Sequence, residues 1–161
     1  MEKTIIVLSG NNEGKTTFID VVKANDYWVW NFNFRNLLSM LSHKLGWDGE
    51  RDNNYCQFVS DLTTLANNHF NSEEWYIRSM IEKFFESEKV DVAIVHNCDN
   101  TLSQALQDQY NCYSVHIVDN EEDVINNTEY CKVLNCNGSD YEQNIVLALA
   151  TMTKDFSEKG E

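Results

Sequence analysis

Apolar residues follow two rhythms along this chain. Thr4-Ile5-Ile6-Val7-Leu8 is an unbroken, β-branched run ending at Ser9-Gly10, the pattern of a strand buried on both faces of a parallel sheet. Val90 to Val95 and Tyr113 to Val118 repeat it, and Cys131 to Leu134 gives a last short strand. Tyr27 to Phe32, alternating aromatic and polar late in its length, predicts another. Elsewhere the spacing lengthens to three and four. Phe18, Ile19, Val21 and Val22 predict a helix of about two or three turns that ends at Asn25-Asp26. Leu37, Leu38, Leu41 and Leu45 predict one closed by Gly46. Tyr55, Phe58, Val59, Leu62, Leu65 and Ala66 trace a third helical face. Ile77, Met80, Ile81, Phe84 and Phe85 trace a fourth, with Ser72 as N-cap and Glu73-Glu74 in its first turn. Ser103 to Tyr110 is a short helix. Tyr141, Ile145, Ala148, Leu149 and Met152 mark a terminal one, with a frayed tail from Lys154. Asp119 to Glu129 carries five acids and no base and reads as an exposed loop or lid.

Strands separated by helices predict βαβ units, an α/β class and ligands at the carboxyl ends of the strands. No internal repeat or linker interrupts the 161 residues, so one domain over 1–161 is expected, large enough to bury a core.

Charge narrows the possible partners. Twelve Lys and Arg against 26 Asp and Glu give a net charge of -14 and an isoelectric point near 4.5, which argues against nucleic acid and anionic membranes, since both attract cationic surfaces. Apolar runs such as Ile5 to Leu8 and Val92 to Val95 fall far short of the roughly 18 residues of a membrane span. Met1-Glu2-Lys3 leads straight into a strand, so a soluble chain without signal peptide is expected. Five cysteines, an odd count with no Cys-x-x-Cys pair, predict free thiols in a reducing cytoplasm. No His/Cys spacing matches a zinc site. His96 and His116, inside strand runs, are expected as buried, hydrogen-bonded side chains. The cluster Tyr27, Trp28, Trp30, Phe32 and Phe34 is expected to pack in the core.

The candidate chemistry lies in Ser9-Gly10-Asn11-Asn12-Glu13-Gly14-Lys15-Thr16-Thr17, directly after a strand and opening a helix. A phosphate-binding loop needs this context: glycines turn backbone amides inward, the helix N-terminus adds partial positive charge, a lysine reaches the β/γ oxygens and a hydroxyl ligates Mg²⁺. Lys15 and Thr16 take those last two roles, with Gly10, Asn11, Asn12, Glu13, Gly14 and Thr17 completing the cradle, and Mg-ATP is the expected occupant. The spacing is one residue short. Gly10 and Gly14 enclose three residues where the usual pattern has four, which puts Ser9 where a glycine is expected. Asp99 and Asp119, each after a strand, are acids that could help hold Mg²⁺.

Two further segments carry a resemblance. Leu45-Gly46-Trp47-Asp48-Gly49-Glu50-Arg51-Asp52 followed by the helix Phe58 to Leu65, and Asn135-Cys136-Asn137-Gly138-Ser139 before the last helix, make the chain resemble the phage and bacterial deoxynucleoside monophosphate kinases. These belong to the adenylate-kinase-like P-loop NTPases. The resemblance implies a three-layer P-loop NTPase fold, with a mostly parallel sheet flanked by helices and a helical insertion after the first βα unit. It implies ATP on the loop and a nucleoside monophosphate or similar small acceptor under a helical acceptor/lid region of about 33–88. Lys15 would act on the donor, Asp48 would orient the acceptor or a metal-bound water, and Arg51 would hold the acceptor phosphate or serve in a lid. Trp47 either stacks on a base or packs. Phosphoryl transfer relies on cations to neutralise the moving charge, yet the chain has only Arg35, Arg51 and Arg78. Cys56, Cys98 and Asp119 stand where the family commonly carries a base. The alternative expectation is therefore a catalytically degenerate nucleotide-binding module that acts through a protein partner or a second copy.

Overall fold

The computed structural model describes residues 3–96, 100–124, 128 and 130–157, with side chains to residue 152. By its internal contacts the chain divides into two compact units, Met1–Asn31 with Phe84–Glu161, and Phe32–Lys83.

The first unit holds the sheet. Strands β1 (Thr4–Gly10), β2 (Val29–Phe32), β3 (Val92–His96), β4 (Cys112–Val118) and β5 (Cys131–Asn135) lie in the order β2-β3-β1-β4-β5. The β1–β3, β1–β4 and β4–β5 pairs are parallel, with Ile6 opposite both Ile94 and Tyr113. The apolar run of β1 is explained by its central place: Ile5, Ile6, Val7 and Leu8 are all buried, and successive side chains point to opposite faces. Ile6, Leu8, Ile94, Tyr113, Val115 and Ile117 pack with Phe18 and Val22 of helix α1 (Asn12–Ala24) and Ile145, Leu149 and Met152 of helix α6 (Tyr141–Ser157). Ile5, Val7 and Val95 project to the other face. There Ser114 of β4 is hydrogen-bonded to Ser103 (3.1 Å) and Gln107 (3.0 Å) of helix α5 (Asn100–Gln109), and Leu102 and Leu106 of that helix are buried. Helices on both faces make three layers, the α/β class expected.

Helices α2 (Phe34–Lys44), α3 (Asn53–Phe70) and α4 (Ser72–Glu86) form the helical insertion, between β2 and β3. Within the second unit Phe34, Leu38 and Val59 make a small core, packed by Tyr55, Leu62 and Tyr76. Asn33 caps α2 at the Arg35 amide and Asp52 caps α3 at the Tyr55 amide.

Several expected faces are rotated. In α2 the buried stripe is Phe34, Leu38 and Ser42, while Leu37, Leu41 and Leu45 are exposed. Phe34 supplies the larger apolar anchor, against Tyr76, and the Ser42 hydroxyl is satisfied by donating to the Leu38 carbonyl. In α3, Phe58 and Leu65 are likewise exposed. The turn into α4 is made by Asn71, in the left-handed region at φ 49°, whose carbonyl accepts from the Trp75 amide. Ser72 is thus the first residue of α4 rather than its cap. Trp28 is 66% exposed, unlike its buried cluster mates Phe32 and Phe34. The terminal helix continues past Lys154 to Ser157. Part of the expected Asp119–Glu129 loop is a short 3₁₀ turn, Glu121–Asp123, and residues 125–127 and 129 lie outside the described residues. No helix among the described residues is long and apolar enough to cross a membrane.

Phe18 is fully buried between sheet and α6. Phe18→Ala is expected to cost about 3–5 kcal/mol, read as a lowered urea midpoint with an unchanged slope.

Candidate functional site at the junction of the first strand and helix

The junction at the end of β1 is shorter than a phosphate loop. Gly10 still pairs with Ile117 of β4, Asn12 already begins α1, and Asn11 alone connects them. Asn11 is held at both ends. Its amide donates to the Ile117 carbonyl (3.0 Å), its Oδ1 caps the helix by accepting from the Gly14 amide (2.8 Å), and its carbonyl accepts from the Lys15 amide (2.9 Å). Residues 12–16 are therefore the first turns of a capped helix. The missing residue between the two glycines explains this outcome, because asparagine is a strong N-cap and a short connection lets the helix start at once.

Both glycines have packing reasons. Gly10 sits at φ +101°, and a Cβ there would lie 2.0 Å from the Ile117 carbonyl oxygen. A Cβ on Gly14 would lie 2.5 Å from Ile117 Cγ2 and 2.8 Å from Cys136 Cβ, and the Gly14 carbonyl accepts from the Tyr141 hydroxyl (2.6 Å). The expected inward-turned cradle is not formed by these glycines. The Asn12 and Glu13 amides, at the start of α1, have no acceptor within the helix.

The charged groups at this end of the sheet are mixed. Lys15 is 5% exposed. Burial first, and the Lys15 charge second, push His96 down to about 4, so its imidazole is neutral at pH 7 and hydrogen-bonds Asn31 Oδ1 through Nε2. Thr16 is exposed and its hydroxyl donates to the Asn12 carbonyl (3.2 Å); Thr17 is half-buried. Asp119 Oδ1 accepts from Asn11 Nδ2 (2.7 Å) and the Cys136 thiol (3.4 Å), while its carbonyl accepts from Asn137 Nδ2 (2.9 Å). Burial, then the bond to Asp119, raises the Cys136 thiol. Burial chiefly raises the Tyr141 phenol. His116 is exposed, contrary to expectation, because its alternate position on β4 points away from the main core; its Nδ1 pairs with Ser9 Oγ (2.8 Å). Among the described residues no three His, Cys, Asp or Glu side chains are grouped to hold a metal ion, and Asp99 and Cys98 lie outside the described residues. Cys56, Cys112, Cys131 and Cys136 are free thiols.

The structure thus brings Gly10, Asn11, Asn12, Glu13, Gly14, Lys15, Thr16 and Thr17 onto one strand-to-helix junction. Asp48 and Arg51 belong to the second unit. There Asp48 Oδ1 accepts from the Glu50 amide (2.9 Å) in a turn containing Gly49 at φ +100°. Trp47 stacks on Tyr55 at 3.9 Å and donates from Nε1 to the Glu50 carbonyl (2.7 Å), which is packing. Arg51 is exposed and makes no ion pair among the described residues; Arg78 pairs with Glu74 at 2.8 Å. Sequence reasoning gave Tyr141 only a place on the terminal helix face, and missed its bond to the Gly14 carbonyl and the tie between Asp119 and Asn11. The only signal for that tie was an acid placed directly after β4.

No family model matches the chain, and no curated protein matches it. Solved structures similar to it include three de novo designed proteins described by their P-loop or P-loop NTPase fold. One is 10% identical, covering 96% of both chains at a TM-score of 0.49. A second is 13% identical, covering 96% of this chain and 92% of that one at 0.46. A third is 13% identical, covering 99% and 96% at 0.45. These are likenesses of fold alone. The three-layer class described above stands on the sheet and its helices.

Gly10→Ala and Gly14→Ala are each expected to destabilise by about 1–3 kcal/mol or more, Gly10 the more because strain adds to the clash; thermal unfolding reads both. His96 adds a pH dependence. Its folded value near 4 lies below the ordinary 6.5, so between them the unfolded chain holds a proton the native chain lacks. Its contribution is complete above pH 6.5 and is lost as pH falls towards 4. The difference in urea midpoint between wild type and His96→Gln should shift across that window and be flat above pH 7.

Proposed function

We propose that the β1–α1 junction is a nucleotide-phosphate site of reduced strength, and that the chain works as a nucleotide-binding module rather than as an efficient phosphotransferase. The observation that carries the reading is Gly14-Lys15-Thr16 on the first turn of the helix that follows the central strand, with Lys15 buried there. Carboxyl ends of parallel strands and helix N-termini are where phosphates bind in α/β proteins. Two first-turn amides and a lysine would suit the terminal phosphates of ATP, and the Thr16 hydroxyl, which donates to the Asn12 carbonyl, would be the ligand offered to Mg²⁺.

Against efficient transfer stand the charges. Glu13 and Asp119 flank the helix N-terminus, and one of only three arginines is engaged with Glu74. Phosphoryl transfer depends on positive groups at the moving phosphate, an arginine alone being worth roughly 10³ or more in rate. The kinase resemblance, with Asp48 and Arg51 acting on a nucleotide-like acceptor, is the second reading, and the segment 45–52 is what favours it. Under the first reading the acidic surface serves a protein partner or a second copy.

Calorimetry with Mg-ATP should show binding to the wild type that Lys15→Ala weakens at least tenfold, with no phosphate transfer across a panel of nucleoside monophosphates. Transfer to any of them makes the chain a phosphotransferase. Absence of Lys15-dependent binding removes the nucleotide reading.

A further inference from the structure

We propose that Asp119 is an autoinhibitory latch on the β1–α1 junction, holding Asn11 in its capping orientation and setting a fixed negative charge beside the cap that repels an incoming phosphate. The inference rests on the nucleotide-phosphate reading of the same junction. Asn11 is the hinge, since it alone separates strand from helix. A side-chain amide has one acceptor end and one donor end. Here the acceptor end caps the Gly14 amide and the donor end binds Asp119. The carboxylate therefore fixes the orientation in which the cap works. Asp119 follows directly on β4, whose Ile117 carbonyl binds the Asn11 backbone amide, so one strand end grips Asn11 by backbone and side chain together.

The latch is itself braced. The Cys136 thiol donates to the same carboxylate oxygen, and Asn137 Nδ2 donates to the Asp119 carbonyl, both from the segment between β5 and α6. Tyr141, at the start of α6, binds the Gly14 carbonyl one turn into α1. A carboxylate near a helix N-terminus is stabilised by the local dipole and repels a second anion there. Release of Asp119 would remove that charge and free the Asn11 amide to turn. No other acid among the described residues is hydrogen-bonded to the cap.

The test is calorimetric titration of Mg-ATP, inorganic pyrophosphate and adenosine into the full chain. Asp119→Ala should bind Mg-ATP and pyrophosphate at least tenfold more tightly than the wild type, with adenosine unchanged, and the gain should vanish in Asp119→Ala/Lys15→Ala. Asp119→Asn, which keeps the size and an acceptor, should gain in the same direction by less, and it carries the test if the alanine variant fails to fold. If the wild type binds through Lys15 and the folded variants bind no more tightly, the latch is refuted while the phosphate site stands. An equal gain for adenosine also refutes it, as general loosening. If none of the proteins binds Mg-ATP or pyrophosphate, the phosphate reading itself falls, and the latch with it.

Discussion

Close approach between Gly10 and the Ile117 carbonyl sets everything at the end of β1. With no side chain on residue 10 and φ at +101°, the strand stays paired to β4 to its last residue, and Asn11 is handed to the Ile117 carbonyl as a hydrogen-bond donor. Helix α1 must then start at Asn12. Its axis is fixed a second time at Gly14, which lies against Ile117 and Cys136 and is bonded by Tyr141. A buried polar group without a partner would cost about 1–3 kcal/mol, and here the Asn11 and Gly14 groups are satisfied without a ligand.

That self-sufficiency shapes the chemistry. A phosphate loop works because its amides lack partners until the ligand arrives. At this junction three amides are already taken, by the Ile117 carbonyl, the Asn11 side chain and the Asn11 carbonyl, and an aspartate is bound to the cap. Lys15 and Thr16 lie in the first turns of the helix, with Glu13 and Asp119 beside its N-terminus. Under the proposed function, such an arrangement suits binding that competes with an internal partner better than rapid turnover. The second unit repeats the theme on a smaller scale: Trp47 and Asp48 are engaged locally, Asp48 accepting from the Glu50 amide and Trp47 donating to the Glu50 carbonyl and stacking on Tyr55.

The sheet was legible in the sequence because a central parallel strand must be apolar on both faces, and Thr4 to Leu8, Val92 to Val95 and Tyr113 to Val118 have no other use. Helix existence was legible from spacing, but helix rotation was less so. In α2 the leucines at 37, 38, 41 and 45 offer two overlapping stripes, and the aromatic at Phe34 decides between them through a contact with Tyr76 that lies far along the chain. The Gly-Lys-Thr signature correctly marked a strand-to-helix junction. It could not tell a glycine needed for phosphate approach from one needed for packing, since the neighbour that decides, Ile117, is about a hundred residues away. The one-residue shortfall between Gly10 and Gly14 was the local clue to the closed form. The bond between Asn11 and Asp119 had only the acid directly after β4 as a clue, its pairing being set by the register of β1 against β4.

Amide hydrogen exchange resolved by residue tests the closed, internally capped junction most directly. In the ligand-free chain the Gly14 and Lys15 amides should exchange far more slowly than those of Asn12 and Glu13, because only the former pair is bonded to Asn11. Equally rapid exchange at all four positions would mean that residues 12–15 form an open loop, and would contradict the account.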